Sequence, residues 1–229
     1  MLKLFELNRD GCQHFSQIFD EDIINELSVA VDSFLGVEKI FNKIYHDPFY
    51  IGDNYAMIFS SQLEGSIGSN PKKSIIVING NKCNKIMKIS FAILYPEFLF
   101  KDKIEEIIKI DLIYLLLQKI TKKRWYLDNV HISIQVGCND NIKYDRKTDN
   151  KEIKMFIPLD NINRLEDGPM VYIRYSHKMK NLPNEFPCIM YPMKKGDFVL
   201  YYQNGLQKIG PQVSQKIRKI LILTFRILQ

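Results

Sequence analysis

The chemistry this chain can offer is concentrated in four histidines, four cysteines and an arginine near its C-terminal end. Arg218 opens an apolar run, and on a strand it shares a face with Ile220, Ile222 and Thr224 while Lys219 points the other way. A planar guanidinium at the end of an apolar face can grip a carboxylate through two parallel hydrogen bonds. The same side chain at a strand end can instead run along the surface with its head in water. Both readings of Arg218 stand at this level. His131, Ser133 and Gln135 alternate with Val130, Ile132, Ile134 and Val136, the two-residue period of a half-buried strand. Their polar stripe either lines the mouth of a ligand cavity or forms the wet side of a sheet.

The cysteines, Cys12, Cys83, Cys138 and Cys188, form no CxxC pair, so neither a zinc site nor a disulfide framework is expected. A reducing cytoplasm is the compartment that this usage implies. Cys138 and Asp140 form a soft–hard ligand pair on paper, with no third partner in view. Tyr172, Tyr175, Tyr201 and Tyr202 place phenols on predicted strands, either to stack on an organic ligand or to pack core and rim.

The elements that must position these groups change character near residue 125. Before it, helical spacing prevails. Asp20 is the predicted N-cap of a helix with Glu21 and Asp22 in its first turn, Ile23, Ile24, Leu27, Val31 and Phe34 on one face, and Gly36 as its stop. A second helix is predicted from Asp102 to Thr121, with Ile104, Ile107, Ile108, Leu112 and Leu115 as its apolar stripe. Ser74 to Ile78 reads as a short strand ended by Asn79-Gly80, and Ile86 to Tyr95 is compatible with either type. From Trp125 onward strands follow one another: Val130–Val136, Ile153–Leu159, Pro169–Arg174, Phe198–Tyr202 and Ile217–Ile227. Turns at Asp167-Gly168-Pro169, Lys195-Gly196-Asp197, Asn204-Gly205 and Gly210-Pro211 separate them. Helices first and strands later predict an α+β chain whose strands form a sandwich or barrel.

A chain of 229 residues suffices for a single domain over 1–229 and can bury roughly 70% of its unfolded surface. With 46% hydrophobic and 25% charged residues it is neither disordered nor collagen-like. The net charge of +6 is scattered and no nucleic-acid reader motif accompanies it, so nucleic acid is not an expected partner. Lys3 interrupts the N-terminus too early for a signal peptide. The longest apolar run, Leu112 to Leu117, falls far short of the roughly 20 residues that cross a bilayer, so no membrane span is expected.

Four segments, in order, resemble the phytanoyl-CoA dioxygenase family, a branch of the Fe(II)/2-oxoglutarate oxygenases. They are Asn8-Arg9-Asp10-Gly11 with the following helix, Lys154 to Asn161, Glu166-Asp167-Gly168-Pro169 through Tyr175-Ser176-His177-Lys178, and Gly196 to Arg218. Tyr175 stands where that family has glycine. The resemblance implies a double-stranded β-helix (a cupin-like jelly roll) formed mainly by residues 125–229. Residues 1–124 would then be a mainly helical lobe with some strands, buttressing the core. It also implies three iron ligands, a His-x-Asp or His-x-Glu pair and a distant histidine, and an arginine that anchors 2-oxoglutarate.

The arginine is present as Arg218, eleven residues after the distal ligand position, and Ser133 and Gln135 would help it hold a ligand. The ligands are replaced. His14, His46, His131 and His177 are followed two residues later by Ser16, Pro48, Ser133 and Met179, so the chain contains no such pair. Aligned on the Phe156 strand, Tyr144 and Arg146 occupy its two positions, and Gln207 occupies the distal one. Neutral glutamine and phenol oxygens would hold Fe(II) too weakly to compete with water. The expected function is therefore a non-catalytic or divergent module. It would bind 2-oxoglutarate, another carboxylate or a partner, with Fe(II) not expected. The alternative is an active oxygenase of a small metabolite or of a lipid or sugar precursor, drawing non-standard ligands from His131, Asp145, Asp149 or His177. A third reading is a scaffold whose barrel binds another chain.

Overall fold

The computed structural model describes residues 6–37, 49–51, 55–59, 74–83, 86–108, 111–136, 144, 146, 151–179, 187–210, 212 and 217–228. Among these lie four helices, α1 (Glu6–Asp10), α2 (Glu21–Val37), α3 (Lys101–Ile108) and α4 (Asp111–Thr121). Five strands come from the first half: β1 (Cys12–Phe15), β2 (Phe49–Ile51), β3 (Tyr55–Phe59), β4 (Ser74–Cys83) and β5 (Ile86–Leu94). Seven follow: β6 (Trp125–Val136), β7 (Glu152–Pro158), β8 (Met170–Ile173), β9 (Cys188–Tyr191), β10 (Phe198–Tyr202), β11 (Gln207–Ile209) and β12 (Arg218–Ile227).

Helix α2 starts where its cap predicts. Asp20 Oδ1 accepts the backbone N–H of Asp22 at 2.9 Å, satisfying a donor that the first turn leaves open. Ile24, Leu27, Val31 and Leu35 form its buried stripe. The described helix ends at Val37, next to the predicted stop at Gly36. The predicted helix over Asp102–Thr121 is present as α3 and α4, with residues 109 and 110 outside the described set. Strand β4 passes through Asn79-Gly80, because β5 pairs along its whole length, from Ile75 opposite Leu94 to Cys83 opposite Ile86. That pairing also settles Ile86–Leu94 as a strand.

Nine strands form one sheet in the order β1-β10-β7-β12-β6-β5-β4-β3-β2, and β11-β8-β9 form a second. All pairs are antiparallel except β3 with β4. One face of the large sheet (Ile132, Ile134, Met155, Ile157, Leu200, Leu221 and Leu223) packs on the helices in the main core. Its other face (Phe156, Val199, Tyr201, Ile220 and Ile222) meets Met170 and Tyr172 of the small sheet in a second core. The architecture is a jelly roll backed by helices. The strands before residue 125 extend its large sheet.

Candidate functional site

The second core places Arg218 inside the roll. In the β12–β6 ladder Arg218 lies opposite Gln135, Ile220 opposite Ser133 and Ile222 opposite His131. Residues directly opposite on paired strands share a face, so the polar stripe and the arginine both look toward the small sheet. Arg218 is only 4% exposed, which rules out the reading with its head in water. Its Nη1 donates to the Gly168 carbonyl at 2.6 Å and its Nη2 to Gln135 Oε1. Its Nε is buried with no partner. Gly168, at φ +73°, is what admits the guanidinium so close to the backbone: a Cβ there would stand 2.0 Å from Nη1. Burial without a counter-charge pulls the Arg218 pKa down to about 10.

His131, half-buried on the same face, is pushed down to about 4 by burial and, secondarily, by Lys154. It is therefore a neutral imidazole at neutral pH.

On the small sheet, Gln207 of β11 lies opposite Tyr172 of β8. It is 8% exposed, and its Oε1 has no hydrogen-bond partner. Tyr144 is 40% exposed, with Lys208 Nζ 4.4 Å above its ring. Arg146 is committed to the backbone: Nε donates to the Asn204 carbonyl at 2.9 Å and Nη2 to that of Met179. Tyr144, Arg146 and Gln207 all lie near the β10–β11 connection. Their chemistry does not fit Fe(II): a cationic donor, a phenol engaged by an ammonium group and one neutral amide oxygen. His177 stacks on Tyr202 at 5.3 Å and meets the Asn8 carbonyl at 3.4 Å, a packing role. Asp145, Asp149, Cys138 and Asp140 lie outside the described residues, as does His46. Among the described residues no three His, Cys, Asp or Glu side chains are grouped to hold a metal. No described helix is long and apolar enough to cross a membrane.

The structure also joins groups that sequence reading missed. His14 Nε2 lies 3.2 Å from Asp197 Oδ2, across 183 residues. Only the turn signal at Lys195-Gly196-Asp197 hinted at this place, and no spacing rule links residues so distant.

No protein-family model matches the chain, and no curated protein matches it in sequence. Solved structures match in fold. The non-heme alpha ketoglutarate dependent epimerase SnoN from nogalamycin biosynthesis aligns with a TM-score of 0.63 and 12% identity, over 96% of this chain and 78% of that one. AviO1 from Streptomyces viridochromogenes Tue57 aligns with a TM-score of 0.61 and 13% identity, over 96% and 91%. HygX from Streptomyces hygroscopicus, solved with nickel and 2-oxoglutarate bound, aligns with a TM-score of 0.61 and 10% identity, over 96% and 84%. At such identities the likeness establishes the architecture alone: this chain shares the jelly-roll fold of these structures.

Proposed function

We propose that this protein is a jelly roll of the phytanoyl-CoA dioxygenase type that binds a small carboxylate at Arg218 without an Fe(II) centre. One observation carries the reading: a guanidinium buried on the inner face with no acidic partner among the described residues and an unused Nε–H. A buried charge left uncompensated is costly, and an incoming carboxylate would relieve that cost. The Nε–Nη2 edge of Arg218 suits it. A carboxylate that displaced the Gln135 amide oxygen from Nη2 and took the free Nε–H would gain two parallel hydrogen bonds. Ser133 and Gln135, facing the same space from β6, would hold the remainder of the ligand. 2-Oxoglutarate is the first candidate, since HygX holds it on the same fold.

The test is calorimetric titration of the full chain with 2-oxoglutarate and with succinate, with and without Fe(II). Binding should occur without metal, remain unchanged when Fe(II) is added, and disappear in Arg218→Met. Tight stoichiometric uptake of Fe(II), or carboxylate binding indifferent to Arg218→Met, overturns the proposal.

A second reading is an active oxygenase with non-standard ligands. It is favoured by the neutral imidazole of His131 on the inner face, the protonation state that a metal ligand needs. Its signature would be Arg218-dependent release of succinate from 2-oxoglutarate in the presence of Fe(II) and ascorbate.

A further inference from the structure

A cavity of about 420 Å³ opens between the end of β1 and the β9–β10 turn, and its lining includes His14, Asn163, Lys194 and Asp197; β1 stands three strands from the β12 of Arg218 in the large sheet. The volume is in the range of small-molecule sites. Asp197, whose side chain is 6% exposed, holds the place together. Its Oδ1 accepts the backbone N–H of Gln17 at 2.9 Å, and its Oδ2 accepts that of Lys194 at 2.9 Å together with His14 Nε2. The Gly196 carbonyl accepts two further N–H groups, from Ile18 at 2.9 Å and Phe19 at 3.1 Å. Two loops far apart in sequence are thus fixed to each other, and the walls of the cavity are formed in advance.

Asp197 also orients the His14 ring. A carboxylate only accepts, so Nε2 carries a hydrogen toward it, and Nδ1 has no partner among the described residues. The rest of the lining is mixed. Ser16, Gln17 and Asn163 each offer a donor and an acceptor, and Lys194 offers donors. Pro192 and Met193 supply an apolar surface. An anion would call for donors alone. A cation would need an open carboxylate, and both Asp197 oxygens are already used. Hydroxyl groups, which donate and accept at once beside weakly polar C–H faces, match the whole set.

Gln17 adds an independent indication. It is held at φ +52°, in the left-handed region, where glycine would sit without steric cost. A side chain kept at a strained backbone position, in the wall of a cavity, suggests use of that side chain.

We propose that this cavity binds a small polyhydroxylated ligand, with His14, Gln17 and Asn163 as the hydrogen-bonding groups that select it. The site is separate from Arg218 and does not depend on the carboxylate reading.

Saturation-transfer NMR on the full chain, with D-glucose, D-ribose and myo-inositol as probes and inorganic phosphate as the anion control, tests it. The His14 imidazole resonance is followed in parallel. At least one polyol should receive saturation and shift the His14 signal, and Arg218→Met should leave this unchanged. Gln17→Gly, which removes the strain, should keep or raise the melting temperature yet weaken polyol binding roughly three- to tenfold, the value of one lost hydrogen bond. Asn163→Ala, an exposed change, should weaken it similarly and serves as the second variant. The proposal is overturned if no polyol binds up to roughly 20 mM, well above the millimolar range of weak ligands. It is equally overturned if only phosphate binds, or if both variants bind polyol as the parent does.

Discussion

Two neighbouring cations on β12 have opposite fates. Lys219 points toward the helices and is fully used: its Nζ meets Asp32 of α2, Asp160 Oδ1 at 3.5 Å and the Ser28 carbonyl at 3.3 Å. Ser28 Oγ also donates to Asp160 at 3.1 Å, so helix and sheet are tied by one network. Arg218, one residue earlier and 4% exposed, has no acidic partner among the described residues and one N–H unused. The same contrast extends across the sheet. The outer face pairs its buried charge, whereas among the described residues the inner side of the roll keeps a guanidinium without an acid, a neutral histidine and an amide oxygen without a donor. Buried charges that serve stability are compensated within the fold. Those left open are paid for elsewhere and stand ready for a ligand.

The largest effect should come from the paired face. Lys219→Ala removes a buried side chain that ties α2 to the sheet and should cost about 2–5 kcal/mol in urea unfolding, chiefly through the cavity left by its stem. A loss below about 1 kcal/mol would erase the distinction between the two faces.

Next is the pH dependence from His131. Its folded value of about 4 lies below the ordinary 6.5, so on acidification the unfolded chain takes up the proton first. The stabilisation is complete above pH 6.5 and is lost as pH falls toward 4, by about 3 kcal/mol in all. His131→Gln should flatten this window in stability measured against pH. An unchanged slope would mean that the imidazole is solvated.

On the inner face, Arg218→Met should leave stability within about 1 kcal/mol of the parent, or raise it, because the change removes an uncompensated buried charge. Carboxylate binding should fall beyond detection in the same protein. Large destabilisation would recast Arg218 as a structural clip between Gln135 and Gly168. The smallest effect is expected at Gln207. Gln207→Leu should be neutral or stabilising by up to about 1 kcal/mol, since a buried acceptor with no donor is removed.

Much of the fold was legible. Strands β6, β7, β8, β10 and β12 followed from two-residue alternation and turn residues, and α2 from its Asp20 cap. Strands β1, β9 and β11, of three or four residues, carry too little pattern to announce themselves, and their existence depends on the neighbours they pair with. Asn79-Gly80 misled for the same reason: a local preference worth about 1 kcal/mol yields to pairing along a whole element. At the site, the sequence alone identified Arg218, its alignment with Ile220 and Ile222, and the absence of any His-x-Asp or His-x-Glu pair.

Residue type and period, which are local properties, determined strands β6, β7, β8, β10 and β12 and the face that Arg218 shares with Ile220 and Ile222. Whether Arg218 reaches water or the interior, whether it meets an acid there, and that His14 joins Asp197 were decided only by tertiary packing. Those outcomes depend on which strands become neighbours, and strand pairing across nearly 200 residues leaves no trace in the spacing of the residues it brings together.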